Sequence, residues 1–61
     1  MVRVLLHGCN GAMGQAISRM AESMDGLTIA AGVDLRAKQK NGYPVYASLE
    51  ECREETDVAV G

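Results

Sequence analysis

Apolar residues crowd the start of the chain: Val2, Val4, Leu5 and Leu6 form a nearly continuous run interrupted only by Arg3. Such a run suits a strand covered on both faces, as in the middle of a parallel sheet. From Met13 the spacing changes. Apolar side chains fall at Met13, Ala16, Ile17, Met20, Ala21 and Met24, while Gln15, Ser18, Arg19, Glu22 and Ser23 take the other positions. Steps of three and one predict one face of an α-helix, with the Met13, Met20 and Met24 stripe filling core space beneath it. Asp25-Gly26 is a turn signal, and Leu27 to Val33 resumes a β-prone run that Asp34 closes.

A helix between two apolar runs implies parallel strands joined by a right-handed crossover. Leu35 to Gly42 has no hydrophobic period and reads as a loop carrying Arg36, Lys38 and Lys40. Tyr43 to Ala47 is short and holds Pro44, which fits a brief third strand at a sheet edge. Ser48-Leu49-Glu50-Glu51 has capping-box spacing and predicts a second, short helix ending near Thr56. Asp57 to Val60 then reads as a fourth strand. The fold class expected is α/β: a partial Rossmann-like, doubly wound parallel sheet of four strands in the order 3-2-1-4, with two helices.

Candidate chemistry sits between the first strand and the first helix. Gly8-Cys9-Asn10-Gly11-Ala12-Met13-Gly14 puts glycines at every third position, and the lone acid Asp34 follows twenty residues after Gly14. Pyrophosphate binds at a helix N-terminus, where unpaired N–H groups and the helix dipole provide positive potential and side chains would obstruct it. Gly8, Gly11 and Gly14 supply a tight turn, a close passage of backbone past phosphate, and a close seat of helix on strand. Strand before, helix after and an acid at this distance complete a dinucleotide-binding unit. Backbone N–H groups from Asn10 to Gly14 are expected to face the pyrophosphate, with Met13 beside it. Asp34 is expected to accept from the adenosine ribose hydroxyls, which favours NADH. Arg36 could clamp a 2′-phosphate, which leaves NADPH open.

Composition narrows the picture further. A net charge of −2 provides no basic face for DNA or RNA. The apolar runs are far shorter than a bilayer span, so no membrane association is expected and a cytoplasmic location is the default. Cys9 and Cys52 have neither C-x-x-C spacing nor a neighbouring histidine, so no metal site is expected. Both read as packing residues, although a thiol at a helix N-terminus, as at Cys9, is one whose pKa can be lowered. His7, the only histidine, lies at a strand end without a positioned partner and is not read as catalytic.

With these residues laid out, the chain resembles the N-terminal part of the 4-hydroxy-tetrahydrodipicolinate reductase (dihydrodipicolinate reductase) family. The resemblance is carried by Val2-Arg3-Val4 leading into Gly8 to Gln15, by Asp34, by Gly42-Tyr43-Pro44-Val45-Tyr46, and by Ser48 to Glu51 before Asp57-Val58. The Gly11 to Gly14 ending, Gly-Ala-Met-Gly, is more specific than the glycine spacing alone. The resemblance implies a cofactor of NADH or NADPH, and hydride transfer to a cyclic dicarboxylate precursor of lysine and diaminopimelate. It also implies that residues 1–61 form the N-terminal portion of a dinucleotide-binding domain, with the substrate and catalytic domain lying outside them. The family often carries a basic residue directly after the acid, where this chain has Leu35, with Arg36 one place later. The family also continues the fourth strand into Asp-Phe-Ser or Asp-Phe-Thr, where this chain has Gly61.

On that reading the cofactor-binding residues are Gly8, Cys9, Asn10, Gly11, Ala12, Met13, Gly14, Asp34, Leu35 and Arg36, and none is catalytic. The chain alone is expected to be inactive, and to self-associate through an exposed sheet edge. Three alternatives stay open: a nucleotide-binding module without turnover, an oligomerising fragment, and a piece of another amino-acid-pathway dehydrogenase.

Overall fold

The first strand, β1 (Val2–His7), turns at Gly8 into the helix α1 (Ala12–Glu22), and the chain returns through Gly26 into β2 (Leu27–Val33). Gly8 and Gly26 both have positive φ, +74° and +81°, a conformation that L side chains rarely adopt. The computed structural model describes residues 1–36 and 41–61. Lys38 and Lys40 lie outside the described residues. After them come β3 (Val45–Tyr46), a single 3₁₀ turn at Leu49–Glu51, and β4 (Val58–Val60).

All four strands are parallel, in the order β3-β2-β1-β4, which is the order expected from the pattern. The register of β1 on β2 shifts between Val4 and Leu5. Because side chains alternate along a strand, β1 covers both faces of the sheet. Leu5 packs with Ala31 and Val33, with Tyr46 and Cys52 against them. Val4, Leu6 and Cys9 are also buried, and Leu6 and Cys9 are fully enclosed.

Two expectations are corrected. The segment after Ser48 is a lone 3₁₀ turn and not a short helix reaching Thr56. The Ser48 hydroxyl donates to the Glu51 carboxylate at 3.2 Å, but it caps no backbone N–H, and Cys52 already has an extended backbone. The reason is local: one turn with no capped N–H is a costly nucleus, and with Cys52 out of the helical region nothing propagates it as the chain passes from one edge of the sheet to the other between Tyr46 and Val58. The segment is held extended by Tyr46, which donates to Glu54 at 2.6 Å, and by Arg3, whose Nε donates to the Glu55 carbonyl at 2.8 Å.

The methionine stripe is also not core. Met13, Met20 and Met24 are 76%, 60% and 48% exposed. The face of α1 turned to the sheet is instead lined by Gly14 and Ala21, both buried, with Ile17 and Ser18 half-buried between them. At about 100° per residue, the three methionines lie roughly a quarter-turn round the helix from that line.

Candidate functional site

The loop from Gly8 to Gly11 and the first turn of α1 stand at the C-terminal end of β1, beside the C-terminal end of β2. The three glycines do different work. Gly8 makes the positive-φ turn. A Cβ on Gly14 would lie 2.4 Å from the Gly8 carbonyl oxygen and 2.7 Å from two Cys9 backbone atoms, so only glycine lets the helix sit this close to the strand end. At Gly11 a Cβ would approach nothing closer than the Gly8 carbonyl oxygen, at 3.4 Å, and the backbone there is extended, with φ −78° and ψ 173°. The fold itself tolerates a side chain at Gly11.

Among the described residues no side chain caps the first turn of α1. The Asn10 N–H donates to Asp34 at 3.0 Å, and the Gly11 N–H donates to the Gly8 carbonyl at 3.1 Å. Both amides are thus engaged inside the loop. The N–H groups of Ala12, Met13 and Gly14 belong to the first turn, which has no intrahelical acceptors. They form the donor set that an anion would meet, reinforced by the helix dipole. Met13 stands exposed beside them.

Asp34 leaves β2 half-buried and clasps the loop. One carboxylate oxygen accepts from the Asn10 N–H, and the other accepts from the Arg36 N–H at 2.9 Å. Those two backbone donors, Arg36 first and Asn10 next, hold its pKa below the usual carboxylate value, and the nearby positive charge of Arg36 adds to the effect. A carboxylate offers about four acceptor positions, so two remain for hydroxyl donors. Asp34, Arg36, His7 and Gly8 line one side of a cleft of about 590 Å³, and Ser48 and Leu49 line the other. Leu35, 93% exposed, stands at its rim. A second groove, of about 400 Å³, lies between α1 and Tyr43 near the N-terminal end of β2, away from the glycine loop.

Cys9 belongs to the site only as its floor. Its sulfur is buried against Gly32 and Tyr43, where a Cβ on Gly32 would lie 2.5 Å from the sulfur and 2.8 Å from Tyr43 Cε1. Burial pushes the thiol pKa up, a hydrogen bond with Tyr43 pulls against that, and the Asp34 charge pushes it up again. Cys9 is therefore a packing residue and not an activated thiol. Among the described residues no cluster of His, Cys, Asp and Glu is placed to hold a metal ion, and no helix is long and apolar enough to cross a membrane.

The pattern of the sequence did not disclose the amide network beneath the loop. Asn10, only 6% exposed, donates through Nδ2 to the Arg36 carbonyl and accepts through Oδ1 from Asn41 at 2.7 Å. Gln15 donates to the Cys9 carbonyl at 2.8 Å and to Asn41 Oδ1 at 3.1 Å. Tyr43 and Ser18 share a 2.7 Å hydrogen bond, and Ser18 donates to the Gly14 carbonyl at 2.9 Å. Asn10 and Asn41 lie far apart in sequence, so no spacing rule joins them; the polar side chain of Asn10 inside the glycine motif was the one available signal.

A family sequence model described as "Dihydrodipicolinate reductase, N-terminus" matches residues 2–61. The chain belongs to that family. It is 38% identical over 60 residues to 4-hydroxy-tetrahydrodipicolinate reductase of Caldanaerobacter subterraneus subsp. tengcongensis, covering 98% of this chain and 24% of the relative. The enzyme of the same name from Clostridium perfringens is 42% identical over 59 residues, covering 95% of this chain and 23% of the relative. That of Clostridium novyi is 37% identical over 60 residues, with 98% and 24% covered. The chain thus spans about a quarter of the length of the curated relatives it matches. No solved structure matches it.

Proposed function

We propose that this chain is the NADH- or NADPH-binding portion of a reductase acting on 4-hydroxy-tetrahydrodipicolinate, in lysine and diaminopimelate synthesis in the cytoplasm. The observation that carries the reading is Gly11: a glycine that the fold does not need, standing before an uncapped helix N-terminus, with the Asp34 carboxylate alongside. Fold economy explains Gly8 and Gly14. As the N-cap of α1, Gly11 could equally be Ser, Thr, Asp or Asn, and a ligand approaching the backbone accounts for the absence of any side chain there.

The residues fit a dinucleotide. Ala12, Met13 and Gly14 would donate their N–H groups to the pyrophosphate. Asp34 would accept from the two ribose hydroxyls with its remaining acceptor positions, and its ionised state would repel a 2′-phosphate, which favours NADH. Arg36, exposed two residues later, supplies the opposite charge and admits NADPH. The cofactor supplies a hydride. The chain's own part is to bind and orient it, since its only histidine lies exposed at the end of β1 and, among the described residues, makes no side-chain hydrogen bond that would position it as a general acid.

Calorimetric titration of the chain with NADH tests this. Gly11→Val costs the fold about 1 kcal/mol as a poorer helix cap, yet it places a side chain where the pyrophosphate must lie. Binding should be abolished while the melting temperature falls only modestly. Unchanged affinity in this variant would remove the phosphate-loop assignment.

A further inference from the structure

Asp34 and Arg36 follow the end of β2, and Asn41 stands two residues before Tyr43 on the way into β3. Both stretches are tied to one residue of the glycine loop, Asn10. After β2, the Asn10 N–H holds the Asp34 carboxylate and the Asn10 side-chain amide donates to the Arg36 carbonyl. Before β3, Asn41 Nδ2 donates to Asn10 Oδ1 at 2.7 Å, and Asn41 Oδ1 accepts from Gln15 on α1 at 3.1 Å. Asn10 is almost wholly buried, and its side-chain donor and acceptor are both engaged. A buried amide with both its nitrogen and its oxygen bonded fixes geometry more than it adds net stability.

We propose that Asn10 is a positioning residue that couples the phosphate loop to the groups reading the ribose, holding the Asp34 and Arg36 loop in one orientation relative to the N-terminus of α1. The inference rests on the dinucleotide reading above, and assigns to Asn10 an effect exerted through Asp34 and Arg36 without contact with the nucleotide. The consequence is that pyrophosphate binding and ribose recognition form a single unit. A loop free to move would lose part of the ordering that binding otherwise has to supply.

The test is a mutant cycle read by calorimetry with NADH on the full chain. Asn10→Ala should weaken binding about tenfold in the parent, the effect of removing one well-made buried hydrogen-bond set. In the Asp34→Ala/Arg36→Ala background the same change should cost less than about twofold, because nothing is left for Asn10 to position. An equal loss in both backgrounds overturns the proposal. Asn41→Ala, which removes only the tie before β3, should show the same dependence on background at smaller size; background-independent loss there also counts against it.

Amide hydrogen exchange without nucleotide supplies the second arm. The Arg36 amide should exchange about tenfold faster in Asn10→Ala while Leu6 and Ala31 in the sheet keep their protection. Unchanged exchange at Arg36 overturns the proposal. If the parent chain fails to bind NADH, the proposed function falls, and the exchange arm still decides whether Asn10 holds the loop.

Discussion

Gly14→Ala gives a prediction whose sign alone is informative. On helix propensity, alanine in place of glycine within α1 should stabilise by about 1 kcal/mol. The structure predicts the reverse. The new Cβ would lie 2.4 Å from the Gly8 carbonyl oxygen and 2.7 Å from the Cys9 Cα and carbonyl carbon. These are backbone atoms of the turn that Gly8 makes, and no rotamer change relieves the clash. Restoring ordinary contact means moving α1 away from the strand end by about 1 Å, at the overpacking cost of roughly 1–3 kcal/mol or more. That displacement also loosens Ser18 and Ala21 from the sheet side of the helix. A chain of this length has a total stability of only about 3–9 kcal/mol. A net loss of about 2 kcal/mol corresponds to a melting temperature lower by roughly 8–16 °C. Circular dichroism melts of the parent and Gly14→Ala at equal concentration measure it. A variant that melts at or above the parent would show that the helix is not seated on the Gly8 turn, and would refute the division of roles among the three glycines.

Asp34→Ala should weaken NADH more than NADPH, and Arg36→Ala should do the opposite; equal losses for both nucleotides in both variants, by calorimetry, would show that neither residue reads the ribose 2′ position. The pKa of Asp34 is lowered by folding, so its contribution to stability is present above the ordinary carboxylate value of 3.8 and is lost as pH falls below it through the folded value. Urea denaturation should accordingly show Asp34→Asn less stable than the parent by a constant margin down to about pH 5, with the margin shrinking by about pH 3; a margin that widens in acid contradicts the clasp. The edge strand β4, with Val58 and Val60 46% and 40% exposed, should drive self-association visible by light scattering. The chain alone should not oxidise NADH with the dihydrodipicolinate precursor, so turnover above a buffer blank would place catalytic groups within residues 1–61.

Local pattern was sufficient for the sheet. A run apolar on both faces, a period near 3.6 and a second β-prone run admit few arrangements once the crossover must be right-handed, and the order β3-β2-β1-β4 followed. The glycine spacing and Asp34 were legible for a similar reason: their demands are on backbone conformation and local charge, which reside in the residues themselves. Three matters were decided only by the tertiary structure. Ser48 to Glu51 has the spacing of a helix start, yet the Ser48 hydroxyl met the Glu51 carboxylate and no backbone N–H, and Cys52 and the Tyr46 bond to Glu54 took the following residues out of the helix. Met13, Met20 and Met24 share a helical face with Ile17 and Ala21, yet Gly14 and Ala21 let α1 approach the sheet along a different line and left the methionines outward. Asn10 was read for its backbone N–H in the glycine motif and Gln15 as a polar position of the helix, and the joining of their side chains with Asn41 under the glycine loop depends on the fold bringing the end of β2 beside the end of β1. Periodicity reports which face of an element is apolar; what that face or a buried amide meets is set by chain distances and close approach in three dimensions.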